Sequence, residues 1–281
     1  MSAAAVCKTT FAIGSDLNVR KTLDCGQCFR WNANENGVYV GVVSGKVLHI
    51  HQKNDKIMCD CDEKELDFWR NYFDMDEDYL SVNDKLTEPE YLRICSEYGA
   101  GIHILRQESW ETLCSFIISQ CNNIPRIKQI IEALCTSFGN ILPGGYYSFP
   151  SPERLAVLSE MDLAPLRSGY RASYILGAAR AVSEGILNFD ELSADSSEEA
   201  FLKLKQLKGV GDKVANCFML YGMHHMDRFP IDTWMKRALK NHFPRDFDPS
   251  ILGPNSGLAQ QYIFYYARNG ERELSKTAEC C

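Results

Sequence analysis

Leu207-Lys208-Gly209-Val210-Gly211-Asp212-Lys213-Val214-Ala215, followed by Pro230-Ile231-Asp232, decides how this chain is read. Helical patterns flank Gly209-Val210-Gly211, so the two glycines mark a sharp turn. The turn opens into a helix start, where free backbone N–H groups and the positive end of the macrodipole favour an anion. Lys213 falls in the first turn of that helix. The helix terminus and partial burial both disfavour its ammonium form, so a lowered pKa and a nucleophilic neutral amine are expected. Asp232 lies 19 residues further on and precedes Thr233-Trp234-Met235-Lys236, a favourable N-cap position. A capping carboxylate is held rigidly and can still face a developing positive charge. Cys217, at i+4 from Lys213, shares its helix face. It either lines a pocket beside the amine or packs as a small apolar side chain, and the sequence leaves both open. The whole stretch reads as a phosphate-gripping hairpin that carries an amine nucleophile and a carboxylate partner.

Length and composition set the frame. With 281 residues, 45% hydrophobic and 24% charged, the chain has the makings of an ordinary globular protein of one large or two moderate domains. No apolar run reaches the roughly 20 residues needed to span a bilayer, so no membrane association is expected. Met1-Ser2-Ala3-Ala4-Ala5-Val6-Cys7-Lys8 lacks a basic n-region and an adequate apolar stretch. A cytoplasmic protein is expected, associated with the nucleoid if the source is bacterial. The 12 cysteines then read as reduced, packed side chains rather than a disulfide framework. Cys25-x2-Cys28 with Cys59-x-Cys61 is a weak zinc pattern, because the second pair is spaced too tightly for a zinc knuckle. No metal site is expected from it.

The net charge of −7 argues against bulk attraction to nucleic acid, but the charge is unevenly spread. Residues 201–240 hold eight bases against three acids, a net of +5. Residues 60–78 hold nine acids against two bases, a net of −7, which reads as a solvated face. An anionic partner would dock at the basic window.

Along the chain, residues 10–60 have the look of a sheet. Gly37–Val43 is short and β-branched, Ser44-Gly45-Lys46 is a turn signal, and Val47–His51 and Ile57-Met58-Cys59 follow as strands. The period turns helical at 63–80 and stays so from about 88 onward. Helices are expected at 110–120, 126–138, 152–158, 162–167, 172–184, 197–206, 212–222, 232–243 and 256–269. The fold class is therefore α+β. An N-terminal antiparallel β-sheet domain (1–104) packs on a mainly helical domain (105–281) that carries a helix-hairpin-helix motif.

Five further segments, in order, resemble the 8-oxoguanine DNA glycosylase/AP lyase family of eukaryotic type, which also has bacterial members. Cys25-Gly26-Gln27-Cys28-Phe29-Arg30-Trp31 is similar to its N-terminal Gly-Gln-x-Phe-Arg-Trp signature. Trp69-Arg70-Asn71-Tyr72-Phe73-Asp74 is similar to the segment closing its N-terminal domain. Ser115 to Ile127, including Cys121-Asn122-Asn123 and Arg126, resembles the loop that fills the gap left by a flipped base. Gly169-Tyr170-Arg171-Ala172 resembles its wedge, and Gln260 and Phe264 fall where the family closes over the base. The resemblance spans nearly the whole chain.

It implies a bifunctional base-excision enzyme acting on double-stranded DNA that contains an oxidised purine, with a monomer expected. A damaged base must be extruded to be reached. Tyr170 would wedge the stack, and Arg126 and Arg171 would read the orphaned cytosine. The Gly26 carbonyl would read the proton on N7 that distinguishes 8-oxoguanine from guanine. A mispaired buried acceptor costs about 1–3 kcal/mol. Phe264 would stack on the base and Gln260 would bond its Watson–Crick edge, with Cys217 and Pro230 beside it. Lys213 would attack C1′ and Asp232 would stabilise the cationic sugar. Gly209, Val210 and Gly211 would grip DNA. No cofactor is required; backbone carbonyls of the hairpin would hold a structural K⁺ or Na⁺. Only Cys280 and Cys281 follow Cys217, so the iron–sulfur cluster of some relatives is not expected.

Three positions depart from the family pattern. Cys121 stands where a third asparagine is frequent, Trp234 where vertebrate relatives have a phosphate-contacting histidine, and Ser173 where they have a basic residue. Two other functions compete. A monofunctional alkylpurine glycosylase of the same fold keeps the aspartate but lacks the lysine. A non-catalytic helix-hairpin-helix DNA-binding protein predicts neither the Lys–Asp pair nor a base pocket.

Overall fold

In the computed structural model, which describes residues 9–14, 16–53, 56–86 and 88–271, the N-terminal part is a five-stranded antiparallel sheet. Cys7, Cys280 and Cys281 lie outside these residues. The strands are β1 (Thr9–Gly14), β2 (Trp31–Ala33), β3 (Tyr39–Val43), β4 (Lys46–Lys53) and β5 (Lys56–Cys61), in the spatial order β1-β5-β4-β3-β2. The Ser44-Gly45 turn brings Val43 opposite Lys46 and sets the β3–β4 register. Alternation along β4 and β5 turns Leu48, Ile50, Ile57, Cys59 and Cys61 inward. They pack with Ile13, Leu17, Trp31, Trp69 and Phe73 in one apolar cluster. Full burial of a Leu or Ile side chain is worth about 1.5–3 kcal/mol.

The helices that border or follow the sheet are α1 (Val19–Asp24), α2 (Leu66–Tyr72), α3 (Tyr79–Asn83), α4 (Glu90–Gly99), α5 (Ser109–Ile118) and α6 (Ile124–Phe138). Next come α7 (Pro152–Ala156), α8 (Glu160–Leu163), α9 (Arg171–Ser183) and α10 (Phe189–Ala194). The series ends with α11 (Ser197–Lys205), α12 (Asp212–Gly222), α13 (Thr233–His242) and α14 (Ser256–Tyr265). The six-residue helices α1 and α10 are absent from the sequence-based expectations. Both begin at asparagine caps, Asn18 and Asn188.

Helix α5 is buried along most of its length, with Trp110, Leu113, Cys114, Phe116, Ile117 and Ile118 inside and Glu111 paired to Arg30. Such a helix belongs in the middle of a core. It packs against α6, α9 and α12, while α14 packs on α4. Its C-terminal end therefore emerges in the interior, beside the start of α12.

Residues 101–107, which lead into the helical region in the sequence pattern, are not helical. They form the seam between sheet and helices: Ile104 joins the helical apolar cluster and Leu105 the sheet cluster. Gln27, fully buried, fastens the seam. Its amide nitrogen donates to the carbonyl of His103 (2.8 Å), and its amide oxygen accepts from the Leu105 N–H (2.9 Å). The remaining signature residues divide between the two sides. Trp31 donates to the Tyr72 hydroxyl at 2.9 Å in the sheet core, Phe29 meets Phe116 edge-on at 5.8 Å, and Arg30 pairs with Glu111 at 3.2 Å. Among the described residues no helix is long and apolar enough to cross a membrane.

Candidate active site

The hairpin between α11 and α12 is built as its sequence demands. Gly209 adopts φ +89°, and a Cβ there would lie 2.2 Å from Cδ2 of Tyr174. Only glycine allows both that conformation and that approach. Val210 is buried and anchors the turn, and Gly211 is the N-cap of α12. Lys213 is the second residue of that helix, as its sequence position predicts. Part of the local basic charge is neutralised: Lys205 pairs with Asp212 at 2.6 Å and Lys203 with Asp195 at 2.7 Å. Exposed pairs of this kind contribute little to stability.

Asp232 caps α13. Its Oδ1 accepts from the Met235 N–H at 2.9 Å, which fixes the carboxylate at the helix start. Lys213 and Asp232 both line a cavity of about 670 Å³. Gly26, Phe264, Asn122 and Asn123 line it too. The half-buried Lys213 ammonium donates to Ser119 Oγ at 2.9 Å and sits 5.2 Å from the centroid of the Phe116 ring.

Gly26 takes φ +93° at the end of α1, so its peptide turns toward the cavity rather than continuing the helix. The preceding Cys25 thiol donates to the Thr22 carbonyl at 3.1 Å, and burial pushes its pKa up to about 11. Around Gly26 gather Arg268, Ile124 and Phe264. The Arg268 guanidinium lies 5.6 Å from the Phe264 ring centroid and donates to the Asp24 carbonyl at 2.7 Å.

Other predicted base contacts sit one layer deeper. Cys217, Pro230 and Gln260 are buried and do not belong to the cavity wall. Burial raises the Cys217 thiol pKa while the Lys213 ammonium opposes the shift. Gln260 lies one turn before Phe264 on α14, with its Oε1 3.2 Å from the Tyr221 hydroxyl.

The remaining predicted residues form an edge that Asn122 and Asn123 join to the cavity wall. The Asn122 amide donates to the Ile118 carbonyl at 3.1 Å, and Asn123 caps α6 by accepting from the Arg126 N–H at 3.0 Å. Cys121 is exposed at φ +47°. Arg126 donates to the Arg167 carbonyl at 3.1 Å. Arg171 donates to the carbonyls of Ser168 (3.1 Å), Cys121 (3.1 Å) and Gln120 (2.8 Å). Its guanidinium stacks 4.6 Å from the ring centroid of Tyr170, which is 49% exposed. Tyr170 in turn meets Tyr174 edge-on at 5.6 Å, and Tyr174 is the ring packed on Gly209. The Tyr170–Arg171 edge and the hairpin thus share one aromatic contact.

Sequence reasoning did not single out Ser119, Phe116 or Arg268. Arg268 follows Phe264 by four residues within the helix expected at 256–269, a signal that was available, although α14 ends at Tyr265 and Arg268 lies in the π-helical turn Tyr266–Gly270. Ser119 and Phe116 carried none, because they reach Lys213 only when α5 ends against α12. Two of the three departing side chains, Ser173 and Trp234, take local partners. Ser173 donates to the Tyr170 carbonyl at 2.9 Å, and Trp234, on the cavity wall, has the Arg237 guanidinium 5.4 Å from its ring centroid.

Residues 11–113 match the family model described as 8-oxoguanine DNA glycosylase, N-terminal domain. Residues 114–250 match the model of the HhH-GPD superfamily of base excision DNA repair proteins. An N-glycosylase/DNA lyase of Saccharomyces cerevisiae is 31% identical over 259 residues, 82% of this chain and 69% of that protein. Among solved structures, MBOgg1 in complex with a low-affinity DNA ligand superposes with a TM-score of 0.89 at 39% identity, covering 96% of this chain and 98% of that one. The Clostridium acetobutylicum 8-oxoguanine glycosylase/lyase, bound to double-stranded DNA with cytosine opposite 8-oxoguanine, gives 0.85 at 34% identity, covering 91% and 93%.

Proposed function

The chain belongs to the 8-oxoguanine DNA glycosylase family of N-glycosylase/DNA lyases, and from that premise we propose that it flips 8-oxoguanine out of duplex DNA opposite cytosine and excises it through a Schiff base on Lys213. The observation that carries the proposal is the meeting of Lys213 and Asp232 with Gly26 and Phe264 on the walls of one cavity. An amine, a carboxylate, a backbone carbonyl and an aromatic face are the groups that a lesion base and its sugar require.

Once deprotonated, Lys213 Nζ bonds to C1′ as the C1′–N9 bond breaks, and the base leaves with the bonding pair and takes up a proton. Asp232, held by its cap bond, offsets the positive charge on the sugar in the transition state. Opening of the sugar ring yields the Schiff base, loss of a C2′ proton follows, and the 3′ phosphate departs by β-elimination. The Gly26 carbonyl accepts a hydrogen bond from the N7–H that only the oxidised purine carries. Phe264 stacks on the base, Gln260 bonds its Watson–Crick edge, and Cys217 and Pro230 back the pocket. Tyr170 wedges the stack while Arg126 and Arg171 contact the orphaned cytosine, with Cys121, Asn122 and Asn123 at the vacated site. The Gly209-Val210-Gly211 hairpin meets a phosphate through the Gly209 and Gly211 N–H groups, while the Val210 N–H is held by the Leu207 carbonyl at 3.0 Å; hairpin carbonyls would hold a structural K⁺ or Na⁺, and no catalytic cofactor is required. The protein acts as a monomer.

Borohydride reduction on a duplex with one 8-oxoguanine opposite cytosine tests this. A covalent protein–DNA adduct is expected, and Lys213→Gln should abolish it. An adduct that persists in the variant removes Lys213 as the nucleophile.

A further inference from the structure

Behind the cavity, Tyr221 joins three parts of the site. Its ring stacks on Phe116 (5.3 Å, 16°), the ring beneath the Lys213 ammonium. Its hydroxyl lies 2.7 Å from Gln261 Oε1 and 3.2 Å from Gln260 Oε1. Gln261 Nε2 donates to the Cys25 carbonyl, one residue before Gly26, at 3.3 Å. All three side chains are buried.

Proton accounting decides how these groups are oriented. The two ends of an amide are told apart by their partners. Gln261 has its nitrogen against a carbonyl, so its oxygen must face Tyr221. Burial raises the phenol pKa well above its ordinary value, so Tyr221 keeps its proton. A phenol has one proton to donate, and lone pairs to accept. The shorter contact, to Gln261, takes that proton. A second amide oxygen at 3.2 Å would then oppose a lone pair in a buried setting, which is unfavourable. Turning the Gln260 amide over removes the conflict, because its nitrogen then donates to the phenol oxygen.

We propose that Tyr221 is a positioning residue for base selection: together with Gln261 it holds the Gln260 amide with nitrogen toward the phenol, so that the Gln260 oxygen is the atom offered to the base. An acceptor at that place matches a purine whose Watson–Crick edge donates at N1 and at the 2-amino group. It opposes a purine whose N1 is a lone pair. The inference rests on Gln260 as the base-edge contact of the proposed function. It adds that its choice of atom is set from behind, by a residue that never touches DNA.

Tyr221→Phe keeps the ring on Phe116 and removes the hydroxyl, which frees the Gln260 amide to turn. Gln261→Met tests the same point separately. With its preferred acceptor gone, the phenol proton can pass to Gln260 and reverse the amide. The measurements are single-turnover excision of 8-oxoguanine and of 8-oxoadenine, each opposite cytosine, and cleavage of a preformed abasic site. Both variants should lower the 8-oxoguanine to 8-oxoadenine rate ratio about tenfold, from the range of an unpaired buried polar group. Abasic-site cleavage, which needs Lys213 but no base contact, should stay within about twofold, while the melting temperature should fall by a few degrees for the buried partners left unpaired. An unchanged ratio in both variants overturns the inference. So does an equal loss on the abasic site, which would reduce Tyr221 to a support for Phe116 and Lys213. If the wild-type protein itself fails to excise 8-oxoguanine, the proposed function fails, and the ratio is not reached.

Discussion

The hairpin glycines lie one residue apart, yet the structure predicts opposite consequences for adding a methyl group to each. At Gly209, φ is +89°, and the new Cβ would lie 2.2 Å and 2.3 Å from two ring carbons of Tyr174. The left-handed conformation costs an L-residue about 1–2 kcal/mol. Displacing a packed ring costs about 1–3 kcal/mol more. Gly209→Ala should therefore lose about 2–5 kcal/mol, a fall in melting temperature of at least about 4 °C for a chain of this size. At Gly211, φ is −95° and ψ is −178°, ordinary extended backbone, and nothing lies within 4 Å of an added Cβ. Gly211→Ala should cost less than about 1 kcal/mol, the difference between the two residues as an N-cap. Its methyl group would instead stand where a phosphate approaches the α12 N-terminus. Thermal unfolding and fluorescence anisotropy on a duplex with an abasic analogue separate the two effects. Gly209→Ala should melt early. Gly211→Ala should melt like wild type and bind DNA about tenfold more weakly, equivalent to about 1.4 kcal/mol. A Gly209→Ala protein with the wild-type melting temperature would refute the strain argument, and unaltered DNA affinity in Gly211→Ala would remove the phosphate from this turn.

Three more outcomes are expected. Tyr170→Ala removes an exposed ring, so stability should change by less than about 0.5 kcal/mol while 8-oxoguanine excision falls at least about tenfold; excision at the wild-type rate rules out the wedge. Replacing both Arg126 and Arg171 with alanine should flatten the preference for cytosine opposite the lesion, read from excision rates against all four opposing bases. Burial alone would raise the Asp74 pKa, but hydrogen bonds from His224 (3.2 Å), Tyr79 (2.7 Å) and Arg106 (2.6 Å) outweigh it and hold the carboxyl at about 2, below its ordinary 3.8. A depressed carboxyl contributes stability above the unfolded pKa and loses it as pH falls through the folded one. Asp74→Asn should thus cost about 2–3 kcal/mol at pH 7, and the gap in urea unfolding should close as pH falls from 3.8 toward 2. A gap independent of pH would show that the charge on Asp74 plays no part.

The sequence by itself determined whatever depends on neighbours along the chain. Gly209 and Gly211 announced the turn, Lys213 the helix start and Asp232 the cap, because turn conformation and capping are settled within four residues. The strands around the Ser44-Gly45 turn and the helix at 110–120 were legible for the same local reason. The tertiary structure decided what the chain brings together from a distance. Ser119 and Phe116 reach Lys213 across the packing of α5 on α12, and Gly26 meets Phe264 and Arg268 across the seam that Gln27 fastens. Gln260 carries a polar amide in an apolar helix, which marks it for a polar task. Which of its two amide atoms turns to the phenol depends on Tyr221 and Gln261, and thus on how α12, α14 and the Cys25 turn pack. Local geometry is fixed by short-range sterics and backbone hydrogen bonds, so a sequence displays it. Proton donors and acceptors in a buried site are satisfied by whichever residues the fold delivers, and no spacing along the chain encodes that.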